Sequence, residues 1–120
     1  MAGSVLVVDD DASFLSLAGR MLERAGLDVV ATARDAPSAI AVAKELQPQA
    51  ALVDIGLPGR NGIDLGRELA ALPWAPRVVL TSTDPDAMAG VGAADAVHEL
   101  TFVAKEDLPG APLGRLLAPD

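Results

Sequence analysis

Cysteine and tyrosine are absent from the 120 residues, and aromatic residues make up only 2% of the chain. Without cysteine there are no disulfides and no thiolate metal ligands, which agrees with a reducing cytosol. With so few rings, the interior must be assembled from Val, Leu, Ile and Ala, and a hydrophobic share of 51% is ample for one core. Positive charge is scarce as well, with 9 Lys and Arg against 17 Asp and Glu and a net charge of −8. A face that grips nucleic acid through its phosphates needs a surplus of cations, so direct nucleic-acid binding by this chain is not expected. Long apolar runs are missing too. No stretch nears the roughly 20 residues that cross a bilayer, and the start, MAGSVLVVDDD, lacks a basic leader. A soluble, cytoplasmic chain is expected, forming one domain over 1–120 with its core over about 4–117.

What is present is alternation. Short β-rich runs occur at Val5–Val8, Val29–Ala31, Ala51–Val53, Val78–Leu80 and, more weakly, Phe102–Ala104. Continuous apolar runs of this kind suit parallel strands buried on both faces. Helical spacing fills the intervals. Phe14, Leu15, Leu17, Ala18, Met21, Leu22 and Ala25 share a face, and Gly26 is placed to end that helix. Asp35 is placed to cap a second helix, with Pro37 in its first turn and Ile40, Ala43 and Leu46 facing inward. Leu65, Leu69 and Leu72 mark a third, closed by Pro73; a fourth is expected within Pro85–Ala94, and a short fifth around Leu113–Leu117. Five strand–helix units imply an α/β fold: a doubly wound, five-stranded parallel sheet with right-handed crossovers.

The polar residues fall where such a fold does chemistry. Asp9, Asp10 and Asp11 follow the first run, Asp54 the third, Thr81 the fourth and Lys105 the fifth. Open α/β sheets bind ligands outside the carboxyl ends of their strands, where the strand order reverses. In the order 2-1-3-4-5, the four strands carrying these residues are neighbours. The second run lies at the edge and ends in Ala33 with no comparable polar residue. Each residue alone has an ordinary explanation as a helix cap, a turn acid, a strand-end hydroxyl or a surface charge. Their joint placement does not.

In order and spacing, VLVVDDD, LVDIGLPGRNG, VVLTS and FVAK resemble the signatures of response-regulator receiver domains, from about Ser4 to Leu117. The resemblance implies a flavodoxin-like (βα)5 fold and a signalling switch rather than an enzyme. Asp54 would be the phosphoacceptor, taking its phosphoryl group from a sensor histidine kinase or a histidine phosphotransfer protein. A carboxylate attacks phosphorus poorly because the two anions repel, so a hard cation between them and a positive side chain opposite are needed. Mg²⁺ prefers oxygen ligands and is typically held by one or two carboxylates together with phosphate. Asp10 and Asp54 are the direct carboxylate candidates, with Asp9 holding a bound water; by resemblance, the Gly56 carbonyl is a further ligand.

The family also implies that Lys105 pairs with a phosphate oxygen and that Thr81 swings inward, with the Ser82 N–H close by and Phe102 following. The face made by the fourth helix, fifth strand and fifth helix would then signal to a downstream protein or support a homodimer when phosphorylated. Two features depart from the pattern: Glu106 follows Lys105 where many receivers carry proline, and the segment ahead of Lys105 is long. Gly56 is small for its place beside Asp54 and would admit water, favouring faster phosphate loss. His98, the lone histidine, is given no role. Two other readings fit the same residues. A degenerate receiver would bind partners without phosphorylation. A Mg²⁺-dependent phosphatase of the haloacid-dehalogenase type would use Asp9 as nucleophile and Asp11 as acid.

Overall fold

The computed structural model describes residues 3–59, 61–83 and 100–117. Five parallel strands form one sheet in the order β2-β1-β3-β4-β5. They are β1 (Ser4–Val8), β2 (Asp28–Ala33), β3 (Ala50–Asp54), β4 (Arg77–Thr81) and β5 (Leu100–Phe102). The helices are α1 (Ala12–Arg24), α2 (Ala36–Leu46), α3 (Gly62–Ala70) and α4 (Leu113–Leu117), with a 3₁₀ segment over Lys105–Gly110. The fourth helix expected within Pro85–Ala94, the long stretch at 94–99 and His98 lie outside the described residues.

Burial follows position in the sheet. Every residue of the central strand β3 is buried, whereas the edge strand β2 alternates and leaves Val30 38% exposed. The expectation of two buried faces fails for β2 because an edge strand has only one neighbour to exclude water. Core residues divide between the two faces of the sheet. Leu6, Val8, Val53 and Leu80 pack with Ala39, Ala43, Leu65 and Leu69 on one side. Val5, Val7, Leu52 and Val79 pack with Phe14, Ala18, Leu22, Leu113 and Leu117 on the other.

Local chemistry sets the helix ends. Asp11, Asp35 and Asn61 each accept a backbone N–H at the start of α1, α2 and α3, and such caps are worth about 1 kcal/mol apiece. Gly26 ends α1 at φ +83; its N–H bonds Glu23 and that of Leu27 bonds Leu22, the paired pattern that a left-handed glycine permits. The buried stripes are narrower than the spacing suggested. Leu17 and Leu46 are 46% and 47% exposed and Ala25 is also exposed, because these short helices turn only one narrow face to the sheet.

The last strand also differs. β5 spans Leu100–Phe102, two residues earlier than expected, but the pairing continues through Val103 N–H to Leu80 and Lys105 N–H to Ser82. Lys105 is thereby pinned to the end of β4.

Candidate functional site at the carboxyl edge of the sheet

Register brings the polar residues together. Asp54 pairs with Thr81 across β3 and β4, and Val8, just before Asp9, pairs with Val53. Asp9 N–H donates to the Ala33 carbonyl at 3.0 Å, and Ile55 N–H to the Thr81 carbonyl at 2.8 Å. The result is a cluster in which single oxygens of Asp9, Asp10 and Asp54 all lie within 4.8 Å of one another. Asp9 is fully buried, Asp54 nearly so, and Asp10 faces solvent.

Gly62 explains how α3 comes so close. A Cβ there would overlap the Asp54 carbonyl oxygen and stand 2.6 Å from the Ile55 Cα. Only glycine lets the helix start against the backbone that carries Asp54, and Gly62 N–H bonds the Ile55 carbonyl at 3.0 Å. At Gly56 there is space: a Cβ would meet both Asp54 carboxylate oxygens at 3.8 Å. The Gly56 N–H donates to Asp54 Oδ1 at 3.2 Å.

The electrostatics are unbalanced. Burial pushes the Asp54 carboxyl above its ordinary value, and the charges of Asp9 and Asp10 act in the same direction. The Gly56 N–H and Lys105 oppose that rise without overcoming it. Lys105 Nζ lies 2.7 Å from Asp9 Oδ2 and 4.0 Å from Asp54 Oδ2. The approach to Asp9 is an ion contact without hydrogen-bond alignment: Asp9 Oδ2 and Thr81 Oγ1 are both buried with no hydrogen-bond partner among the described residues. The Thr81 hydroxyl is left without a partner among the described residues, which costs about 1–3 kcal/mol. An all-oxygen donor set of three clustered carboxylates suits a hard divalent cation. The three oxygens lie close enough together for one such ion to draw on them.

Of the residues singled out from sequence, Asp9, Asp10, Asp54 and Lys105 converge, with Thr81 and Ser82 buried at the same strand ends. Phe102 is half-buried and packs on the α2–α3 side of the sheet. Asp11 instead caps α1, accepting from Ser13 N–H at 2.9 Å. The second strand is less silent than expected. Arg34, immediately after β2, donates from its guanidinium to the Asp10 carbonyl at 2.9 Å. The only signal for this was a cation one residue past Ala33, and its reach depended on how closely β2 and β1 pair.

The chain belongs to the response regulator receiver domain family, whose model matches residues 5–106. It is 42% identical over 82 residues to the DNA-binding response regulator MtrA of Mycobacterium tuberculosis, a match covering 68% of this chain and 36% of that protein. It is 37% identical over 111 residues to protein-glutamate methylesterase/protein-glutamine glutaminase 5 of Myxococcus xanthus, covering 87% of this chain and 32% of the relative. The chain thus spans about a third of the length of these curated relatives. Among solved structures, a LuxR-family two-component response regulator from an Aurantimonas species aligns with a TM-score of 0.78 at 27% identity, over 92% of this chain and 79% of that one. The chain is therefore a receiver domain of a response regulator, a signalling module rather than a classical enzyme. No helix among the described residues is long and apolar enough to cross a membrane.

Proposed function

We propose that this receiver domain is a phosphorylation switch whose acceptor is Asp54, acting as one unit over 1–120. The observation that carries the reading is a nearly buried Asp54 flanked by a buried acid, a hydroxyl without a hydrogen-bond partner among the described residues, and a lysine amine in contact with both acids at one sheet edge. Burial and the neighbouring acids hold the Asp54 carboxyl above the ordinary value, so the fold resists charge on it.

Asp9, Asp10, Asp54 and the Gly56 carbonyl would hold Mg²⁺, with Asp9 acting through a bound water. When bound, the ion supplies Lewis-acid polarisation of the phosphoryl oxygens and relieves the repulsion between two anions. One Asp54 oxygen attacks phosphorus as the P–N bond of a phosphohistidine breaks. The bonding pair leaves with the imidazole nitrogen, which is then protonated. Lys105 turns to a phosphoryl oxygen, the Thr81 hydroxyl donates to another, and the Ser82 N–H lies near. Phe102 follows Thr81 inward, and the altered face around β5 and α4 signals to a downstream protein or to a second phosphorylated copy. The donor would be a sensor histidine kinase or a histidine phosphotransfer protein, in the cytoplasm. The open space at Gly56 would speed hydrolysis of the acyl phosphate.

The phosphatase alternative is disfavoured by the same geometry. Asp9 has no exposed surface, its Oδ1 accepts the Asp11 N–H at 2.9 Å, and Asp11 is occupied as a helix cap. Neither side chain is placed for attack or proton donation. The deciding experiment incubates the chain with Mg²⁺ and acetyl phosphate and weighs the intact product. One added phosphoryl group, absent from Asp54→Asn, is expected. Equal uptake by that variant, or none by the native chain, would refute the assignment; none by the native chain would favour a degenerate receiver.

A further inference from the structure

Two phenylalanines and one tryptophan are all the aromatic residues in the chain, and one of them stands against the amine of Lys105. The Nζ lies 4.1 Å from the centroid of the Phe14 ring. Phe14 is 8% exposed and the Lys105 side chain 15%. Water therefore does little to weaken the attraction between the ammonium and the ring face. With Asp9 at 2.7 Å and Asp54 at 4.0 Å, the amine is held by two carboxylates and a ring.

These holds differ in kind. A carboxylate takes up N–H donors and binds the ammonium hard; a ring face attracts the charge as a whole and leaves the donors free. An ammonium supported by Asp9 alone would have to surrender a close ion pair before turning toward Asp54. A divalent cation drawing on Asp9 would also repel it from the pocket. The ring supplies a neutral support that is present in either circumstance. We propose that Phe14 is a positioning residue for Lys105, holding the ammonium in the pocket within reach of Asp54 when its ion contact with Asp9 is given up for a phosphoryl oxygen. This deepens, and rests on, the reading of Asp54 as phosphoacceptor. The competing account is plain packing, since Phe14 shares the buried face of α1 with Ala18 and Leu22.

Phe14→Leu removes the ring while keeping an apolar side chain, and Phe14→Tyr restores the ring. Initial rates of Asp54 phosphorylation with acetyl phosphate and Mg²⁺ should fall roughly tenfold in Phe14→Leu, the effect of a desolvated cation–π contact. They should stay near native in Phe14→Tyr. On a Lys105→Met background, Phe14→Leu should slow the reaction no further. Equal slowing with and without Lys105 would make Phe14 a packing residue and overturn the proposal. Phe14→Met replaces the leucine variant if the latter's melting temperature collapses. Nuclear magnetic resonance reads the contact without any phosphorylation. The Lys105 ε-methylene, one bond from Nζ, should be displaced upfield by the ring, and the displacement should vanish in Phe14→Leu and persist in Phe14→Tyr. A shift indifferent to Phe14→Leu overturns the placement. A native chain that shows the shift yet takes up no phosphoryl group overturns the acceptor reading and with it the kinetic role of Phe14.

Discussion

The two ends of the sheet are built to opposite standards. At the amino end, polar groups are paired off. Ser4 and Gln49 exchange hydrogen bonds, the Ser4 N–H to the Gln49 side chain at 3.3 Å and the Gln49 N–H to the Ser4 hydroxyl at 3.0 Å. The Trp74 indole donates to the Pro48 carbonyl at 2.8 Å, and Arg77 N–H to the Gln49 carbonyl at 3.0 Å. At the carboxyl end, the Thr81 hydroxyl has no hydrogen-bond partner among the described residues and Asp9 Oδ2 has only its ion contact with Lys105, beside an Asp54 whose ionisation burial opposes. A fold that satisfies its polar groups at one end and leaves them waiting at the other gives up stability where a ligand is to act. The amino end holds the strands in register; the carboxyl end uses that register.

The largest break in this contrast should come from Gly62→Ala. Its new Cβ has backbone on the other side and no flexible side chain to displace. A loss of about 3 kcal/mol in urea unfolding is expected, together with slower phosphorylation as Asp54 shifts. Millimolar Mg²⁺ should stabilise the native chain by about 1–3 kcal/mol, and Asp10→Ala should abolish that response in a thermal melt. A Mg²⁺ response that survives Asp10→Ala would place the ion elsewhere. Trp74→Phe tests the opposite end. It should cost about 1 kcal/mol for the lost indole hydrogen bond and leave both the Mg²⁺ response and phosphoryl uptake unchanged.

Acid titration sharpens the contrast further, with the smallest expected effect. Because the folded chain holds the Asp54 proton more tightly than the unfolded chain, stability falls as pH rises from the ordinary value of 3.8 through the raised folded value. Without metal, Asp54→Asn should therefore melt higher than the native chain at neutral pH, and the gap should close below pH 3.8. Asp35, whose carboxyl is held low by the Ser38 N–H, runs the other way. Asp35→Asn should lose stability above pH 3.8 and converge with the native chain in acid. Parallel curves for the two variants would remove the contrast between a capping acid and a reacting one.

Much of this was legible in the residues. The alternation of apolar runs and helical spacing dictates a parallel sheet because strands and helices have distinct periods, and Asp11, Asp35 and Gly26 mark helix ends through chemistry that acts within a few residues. The order of Asp9, Asp10, Asp54, Thr81 and Lys105 along the chain, each at a strand end, was enough to nominate the site. Other features depend on contacts between residues far apart in sequence. Helical spacing overstates burial at Leu17 and Leu46, because periodicity gives a face but not the width of the groove that receives it. The closeness of α3 that requires Gly62, the reach of Arg34 to Asp10 and the ring of Phe14 against Lys105 come from packing across the sheet. Local patterning thus determined the elements and the identity of the acids. The tertiary structure alone decided which oxygens are buried without hydrogen bonds and which side chains stand against the lysine, since those follow from distances that no single segment controls.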